Sequence, residues 1–372
     1  MLKNEFLSYL AYLTLITLTV LSRFTLIPVY YLVGIYTTLL VYLGCIESLN
    51  IFDKNRPVGE EEEKIETMTQ KDAWMFPVVG SCTLFGLYMV FKIFHKDYVN
   101  LLFHFYFTII GTYSIKAIIY DKLARLSLFK NLAKSNLFSI PKIPYLNDLP
   151  VGINKLDIIC CLLASLVGAA YFFTKNWTLN NIFGMCFSIF GISNILLGQF
   201  KVGFILLSLL FFYDIFWVFG TDVMVTVAKS LDGPIKLMFP KVENPGTEIT
   251  DFSIIGLGDI VIPGIFVALM LRYDYIRYLE KNKTHDVVRF NVMNLQYFII
   301  TIFGYISGIV TTLVIMNVFN HAQPALLYLV PGCLFSSLIL ALIKGDLKNL
   351  WSFDEEVSMK SLKEKDEASK SK

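Results

Sequence analysis

The stretch FFYDIFWVFG, residues 211–220, holds a single acid, Asp214, among aromatic and aliphatic neighbours. A second acid, Asp259, lies in IIGLGDIVIPG, residues 254–264. An ionised carboxylate in hydrocarbon costs at least ~2.5–3.5 kcal/mol even on lenient insertion scales, so a chain that keeps two of them points to use. Two carboxyl groups brought close in low dielectric cannot both ionise cheaply; they share one proton and titrate as a unit. Such a pair can hold a water. The ionised member takes the proton of that water as it attacks an amide carbonyl, and the protonated member donates to the carbonyl oxygen. This chemistry needs neither a covalent intermediate nor a cofactor.

The elements that must position the two acids are membrane helices. Hydrophobic residues make up 55% of the 372-residue chain, aromatic residues 15%, charged residues only 17%, and mean hydropathy is +0.60. Soluble domains carry about 25% charged residues. The composition implies an all-α polytopic membrane protein. A net charge of +2 without a basic face excludes a nucleic-acid partner. The six cysteines fall in or beside apolar runs and read as small hydrophobes. The four histidines are scattered, with no HExxH and no Cys/His spacing for zinc, so no metal is expected.

About 20 apolar residues of helix cross a bilayer core. Ten runs qualify or nearly so: 6–22, 26–48, 73–94, 99–120, 157–174, 179–197, 202–221, 252–271, 291–316 and 324–343. Alternate loops differ sharply in basic residues, 23 Lys and Arg against 6, which puts the C-terminus in the cytosol. The first run reads as a retained anchor or a signal segment. The chain divides into this N-terminal hydrophobic segment (1–25), an N-terminal group of spans (26–200), a catalytic group (201–345) and a disordered cytosolic tail (346–372).

The spans bearing the acids are consecutive and therefore antiparallel. Asp214 lies eight residues before Asp222 and Asp259 eight after Asp251. At 1.5 Å per helical residue, both sit roughly 12 Å below one interface. Gly256 and Gly258, inside a membrane helix, would bare the backbone beside Asp259 for a peptide substrate. Pro263 weakens that helix one turn on. In HAQPALLYLVPG, residues 321–332, Pro324 lacks an N–H and Pro331 is expected to break the last span. Backbone groups freed there could pair with an extended strand. In the loop 220–251, VMVTVAKS and IKLMF read equally as strand-forming segments and as an amphipathic lid. Gly304 to Gly308, in GYISG, reads as helix packing.

Tyr213-Asp214, Gly256-Leu257-Gly258-Asp259 and Gln323-Pro324-Ala325-Leu326, in that order on the last three motif-bearing spans, resemble the GxGD intramembrane aspartyl proteases. The similarity is to the signal peptide peptidase branch and extends from about residue 26 onward. Only 44 residues separate the acids, whereas presenilins carry a long hydrophilic insertion there. The resemblance implies a nine-span presenilin-like core with an extra N-terminal helix. It implies Asp214 and Asp259 as the catalytic pair, with Tyr213, Gly256, Leu257, Gly258, Gln323, Pro324, Ala325 and Leu326 shaping the site. It also implies no cofactor, and type II transmembrane segments as substrates, chiefly remnant signal peptides in the endoplasmic reticulum membrane. The bilayer is a partner, and association between copies of the chain is left open. A proton-coupled transporter, whose acids relay protons, and a noncatalytic binder of membrane segments are the alternatives.

Overall fold

Each of the ten apolar runs contains a helix, because only a helix satisfies the backbone of a lone segment in lipid. The computed structural model describes residues 2–24, 27–54, 67–140, 151–241, 251–282, 293–319 and 323–361. In chain order the elements are α1 (Leu2–Phe24), α2 (Val29–Lys54), α3 (Gln70–Ile93) and α4 (Lys96–Arg125). A short α5 (Lys130–Lys134) leads to the hairpin of β1 (Asn136–Ile140) and β2 (Val151–Asn154). Then come α6 (Lys155–Thr174), α7 (Trp177–Asn194), α8 (Phe200–Phe219) and α9 (Val223–Ser230). A second hairpin, β3 (Lys236–Lys241) and β4 (Asp251–Gly256), precedes α10 (Gly258–Asn282), α11 (Gln296–Phe319), α12 (Leu326–Ile343) and α13 (Leu347–Trp351). Among the described residues, eight helices are long and apolar enough to cross a membrane; α7 and α10 carry too many polar groups to be counted by composition.

The helix starts follow local rules. Thr69 and Asp72 form a reciprocal capping box at α3: the Asp72 N–H donates to Thr69 Oγ1 at 3.3 Å and the Thr69 N–H to Asp72 Oδ2 at 2.9 Å. Asn154 and Asp157 repeat the device at α6. Asn176 caps α7 by accepting the Thr178 N–H at 2.9 Å.

α10 is the centre of the fold. Residues Phe266 to Leu271 are fully buried, enclosed by α2, α7, α8, α11 and α12. Its middle is an apolar helix buried all round, as expected of a core helix. The α11–α12 pair packs backbone to backbone: a Cβ on Gly304 would stand 2.2 Å from the Gly332 carbonyl oxygen. Gly304 and Gly308 therefore do serve packing, as the sequence suggested.

Four expectations are corrected. Residues 251–256 form a strand paired to β3, so the span expected at 252–271 begins at Gly258 and runs on to Asn282. Its polar C-terminal half stays helical because its charges find partners. Arg272 donates through Nε to Glu355 at 2.6 Å, Asp274 accepts the Phe298 N–H at 2.9 Å, and Arg277 pairs with Asp346. Pro331 does not break α12, which continues through it. Of the loop 220–251, the VMVTVAKS segment is a helix, α9, and only the second segment is strand. Finally, the tail expected to be disordered from 346 is folded as far as it is described. Leu350 and Phe353 are buried, Glu355 is 1% exposed, and residues 355–361 are helical. Residues 362–372 and His321 lie outside the described residues.

Candidate active site

The buried stripe of α8 runs through Gly203, Leu206, Leu207, Leu210, Asp214 and Trp217, at the three- and four-residue spacing of one helix face. Asp214 thus occupies a core position and is only 4% exposed. Its partner is the start of α12. Pro324 is buried, and Ala325, at the cap position, has no side chain that can accept a hydrogen bond. The first amide of the helix is left without an intrahelical partner, as at any helix start. Asp214 supplies the missing acceptor: the Leu326 N–H donates to its Oδ2 at 3.1 Å. The carboxylate therefore sits at the positive end of the α12 dipole. The Leu326 amide, expected to be free for a substrate strand, is taken by the acid instead.

Asp259 reaches the site by a different route. β4 ends at Gly256, and Leu257 closes the sheet by donating its N–H to the Ile235 carbonyl at 3.0 Å. The Leu257 carbonyl then accepts from Ile260 at 3.1 Å and Val261 at 2.8 Å, which opens α10. Leu257, 9% exposed, pins this junction in the core. Asp259 falls in the first turn of α10, again where a helix dipole favours an anion. Gly256 and Gly258 are accordingly at a strand-to-helix junction, not inside a helix. A Cβ on Gly256 would stand 3.5 Å from Asp259 Oδ2, so this stretch of strand lies against the acid.

The equal-depth count along two helices fails, since 251–256 is extended. The acid-bearing segments are brought together by other means: α8, α10 and α12 pack on one another, with Asp214 at the start of α12 and Asp259 at the start of α10. Tyr213, one position off the buried stripe, turns to α3. A Cβ on Gly80 would meet its hydroxyl at 3.6 Å, and its ring lies 6.2 Å from that of Trp217, which donates to Ser81 Oγ at 3.1 Å. Tyr213 holds α8 against α3. Gln323 precedes Pro324 and is partly exposed.

Two features of the site were not anticipated. One is β4, which pairs with the IKLMF segment to make a hairpin beside Asp259; alternation in DFSIIG is too short to tell strand from helix. The other is Tyr305 of α11, fully buried in the core that α10, α11 and α12 share. Its place beside Gly304 was the only signal.

A family profile described as signal peptide peptidase matches residues 60–357. The human protein "Signal peptide peptidase" is 43% identical over 301 residues, covering 78% of this chain and 74% of that protein. Its mouse counterpart is 44% identical over the same shares. "Intramembrane protease 2" of Caenorhabditis elegans is 46% identical over 207 residues, or 55% of this chain and 44% of its own length. The matched span contains both acids, the strand-to-helix junction and the start of α12. The chain belongs to the signal peptide peptidase family of intramembrane aspartyl proteases.

Proposed function

We propose that Asp214 and Asp259 are the catalytic pair of this protease, sharing one proton and holding the water that attacks the substrate amide. The observation that supports this reading is the packing of α8, α10 and α12, which sets Asp214 on the Leu326 N–H at the start of α12 and Asp259 in the first turn of α10. Pro324, Ala325 and Leu326 shape the site by presenting an uncapped amide. Gly256, Leu257 and Gly258 shape it by turning strand into helix at the second acid, and Tyr213 by holding α8 to α3. Gln323 is proposed to face the substrate path. Residues 201–345 supply the catalytic groups, and residues 26–200 the frame around them.

The substrates proposed are type II transmembrane segments, chiefly signal peptides left in the endoplasmic reticulum membrane, with the C-terminus of the chain in the cytosol. A helical substrate must be opened before its backbone can be cut. The sheet offers the surface for this. Met238 pairs with Ile254 and Lys236 with Gly256, and the Met238 N–H and C=O and the Lys236 C=O point away from β4 to α7. In an antiparallel ladder the residues opposite do the same. The N–H and C=O groups of Ile254 and Gly256 therefore face outward from β4, and a substrate strand added there passes beside Asp259.

The test is cleavage of a labelled signal-peptide substrate by the purified chain in detergent, beside Asp214→Ala and Asp259→Ala. The parent is expected to release product and neither variant to do so. Ion-coupled transport with no peptide product, or binding without cleavage, would overturn the reading.

A further inference from the structure

The two edges of the small sheet are unlike. We infer that Asn180 and Asn181 of α7 are positioning residues for proteolysis: their side-chain amides close the outer edge of β3, so that an extended substrate adds only to β4. This rests on the proposed function and says which edge receives the substrate.

The geometry is specific. Asn181 Nδ2 donates to the Met238 carbonyl at 2.7 Å, and the Met238 N–H donates to Asn181 Oδ1 at 2.8 Å. One amide thus answers both backbone groups of a residue, as a neighbouring strand would. Asn180 Nδ2 donates to the Lys236 carbonyl at 2.9 Å. The Tyr171 hydroxyl of α6 donates to Asn180 Oδ1 at 3.2 Å, which fixes the orientation of that amide. Both asparagines are buried, at 6% and 2% exposure, where a polar side chain is kept only with its hydrogen bonds made. α7 can approach this closely because Gly184 has no Cβ; one would stand 2.8 Å from Leu237 Cδ2.

An unpaired strand edge accepts any extended chain. Were β3 open, a substrate could pair there, one strand further from Asp259 and unproductively. With β3 closed, the open edge is that of β4, where the Ile254 side chain is 50% exposed. The clasp also holds β3 to α7. Through the β3–β4 register it fixes the height of Gly256 against Asp259 and hence which substrate bond reaches the acids.

The experiment compares the parent with Asn181→Ala, Met238→Pro and the double variant, in detergent, with a labelled signal-peptide substrate and product termini read by mass spectrometry. Met238→Pro deletes the same hydrogen bond from the other side. Its N–H points away from β4, so the ladder is left intact. Met238→Pro is expected to lose about tenfold in kcat/KM, as for one buried hydrogen bond left unmade, and Asn181→Ala, which unmakes two, at least as much. New product termini are expected two residues from the parental cut, the repeat of an extended strand. The double variant should stay within about twofold of the less active single one, because the bond that Met238→Pro removes is already lost in Asn181→Ala. A merely structural role would lower the yield of folded enzyme without moving the cut. Unmoved termini in the folded variants, or losses that multiply in the double variant, would overturn the inference. If Asn181→Ala does not fold, Asn180→Ala and Met238→Pro are read in the same way. Absence of cleavage by the parent would overturn the proposed proteolysis and this inference together; parental cleavage with unmoved termini overturns this inference alone.

Discussion

Replacing Asp214 separates what the acid does for stability from what it does for chemistry. In Asp214→Asn the side chain keeps its shape and an oxygen that can accept the Leu326 N–H, now at 3.1 Å from Oδ2. The charge is lost. Its attraction to the α12 dipole is worth about 0.3–2 kcal/mol. Desolvating it costs at least ~2.5–3.5 kcal/mol on insertion scales. The asparagine variant is therefore expected to be as stable as the parent or more so. Asp214→Ala also removes the charge but leaves the Leu326 amide buried, Leu326 being 5% exposed, with no acceptor. An orphaned buried donor costs about 1–3 kcal/mol. The alanine variant should unfold below the asparagine variant by that amount. The assay is thermal and denaturant unfolding of all three proteins in one detergent, with peptide cleavage measured alongside. Neither variant should cleave. Equal stability of the two variants would refute the capping role, and cleavage by Asp214→Asn would refute the catalytic one.

Three further outcomes follow from the packing. Gly304→Val drives a side chain into the Gly332 carbonyl; overpacking of this kind costs about 1–3 kcal/mol, and the displaced α12 should carry Leu326 off Asp214 and cut activity. Gly34→Ala, with open space around it, should leave both unchanged or raise stability by about 0.5–1 kcal/mol; a shared effect of the two in unfolding assays would contradict this. Arg272 and Glu355 are 0% and 1% exposed, so Glu355→Leu alone should cost about 3–5 kcal/mol while Arg272→Met with Glu355→Leu recovers most of it, as judged by unfolding midpoints. Burial works against the charge on Asp346, but hydrogen bonds from Asn349, Tyr297 and Tyr273 and the Arg277 guanidinium outweigh it and hold this carboxyl below its ordinary range. A lowered folded value gives stability that is present at neutral pH and lost as pH falls below about 4. Asp346→Asn should be less stable than the parent at pH 7, with the gap closing in acid; a gap independent of pH would count against the pairing.

Much of the architecture was legible because each helix is an apolar run long enough to read by length alone. The exceptions share a cause: a partner far away in sequence. Hydropathy ends the eighth apolar run at Leu271, yet α10 continues to Asn282 because Glu355 and Asp346 receive its arginines and the Phe298 amide its Asp274. The same contacts fold the start of the tail, which by composition alone reads as solvated. DFSIIG is apolar enough to pass for the start of a span, and only pairing with β3 makes it a strand. At the site the acids themselves stood out as charges with no local reason to be there. What joins them did not: an aspartate capping a helix 112 residues further on leaves no trace in either segment, beyond a proline and an alanine where a capping side chain is missing.

The central claim is that the two acids work as one protonated pair on one substrate bond. Binding of a hydroxyl-bearing peptide that mimics the hydrated amide tests it most directly, measured at equilibrium on the parent, Asp214→Asn and Asp259→Asn in the same detergent. Loss of tight binding in both variants, at least about a hundredfold as expected of a mimic matched to the transition state, is the predicted result. Parental affinity retained by either variant would contradict it.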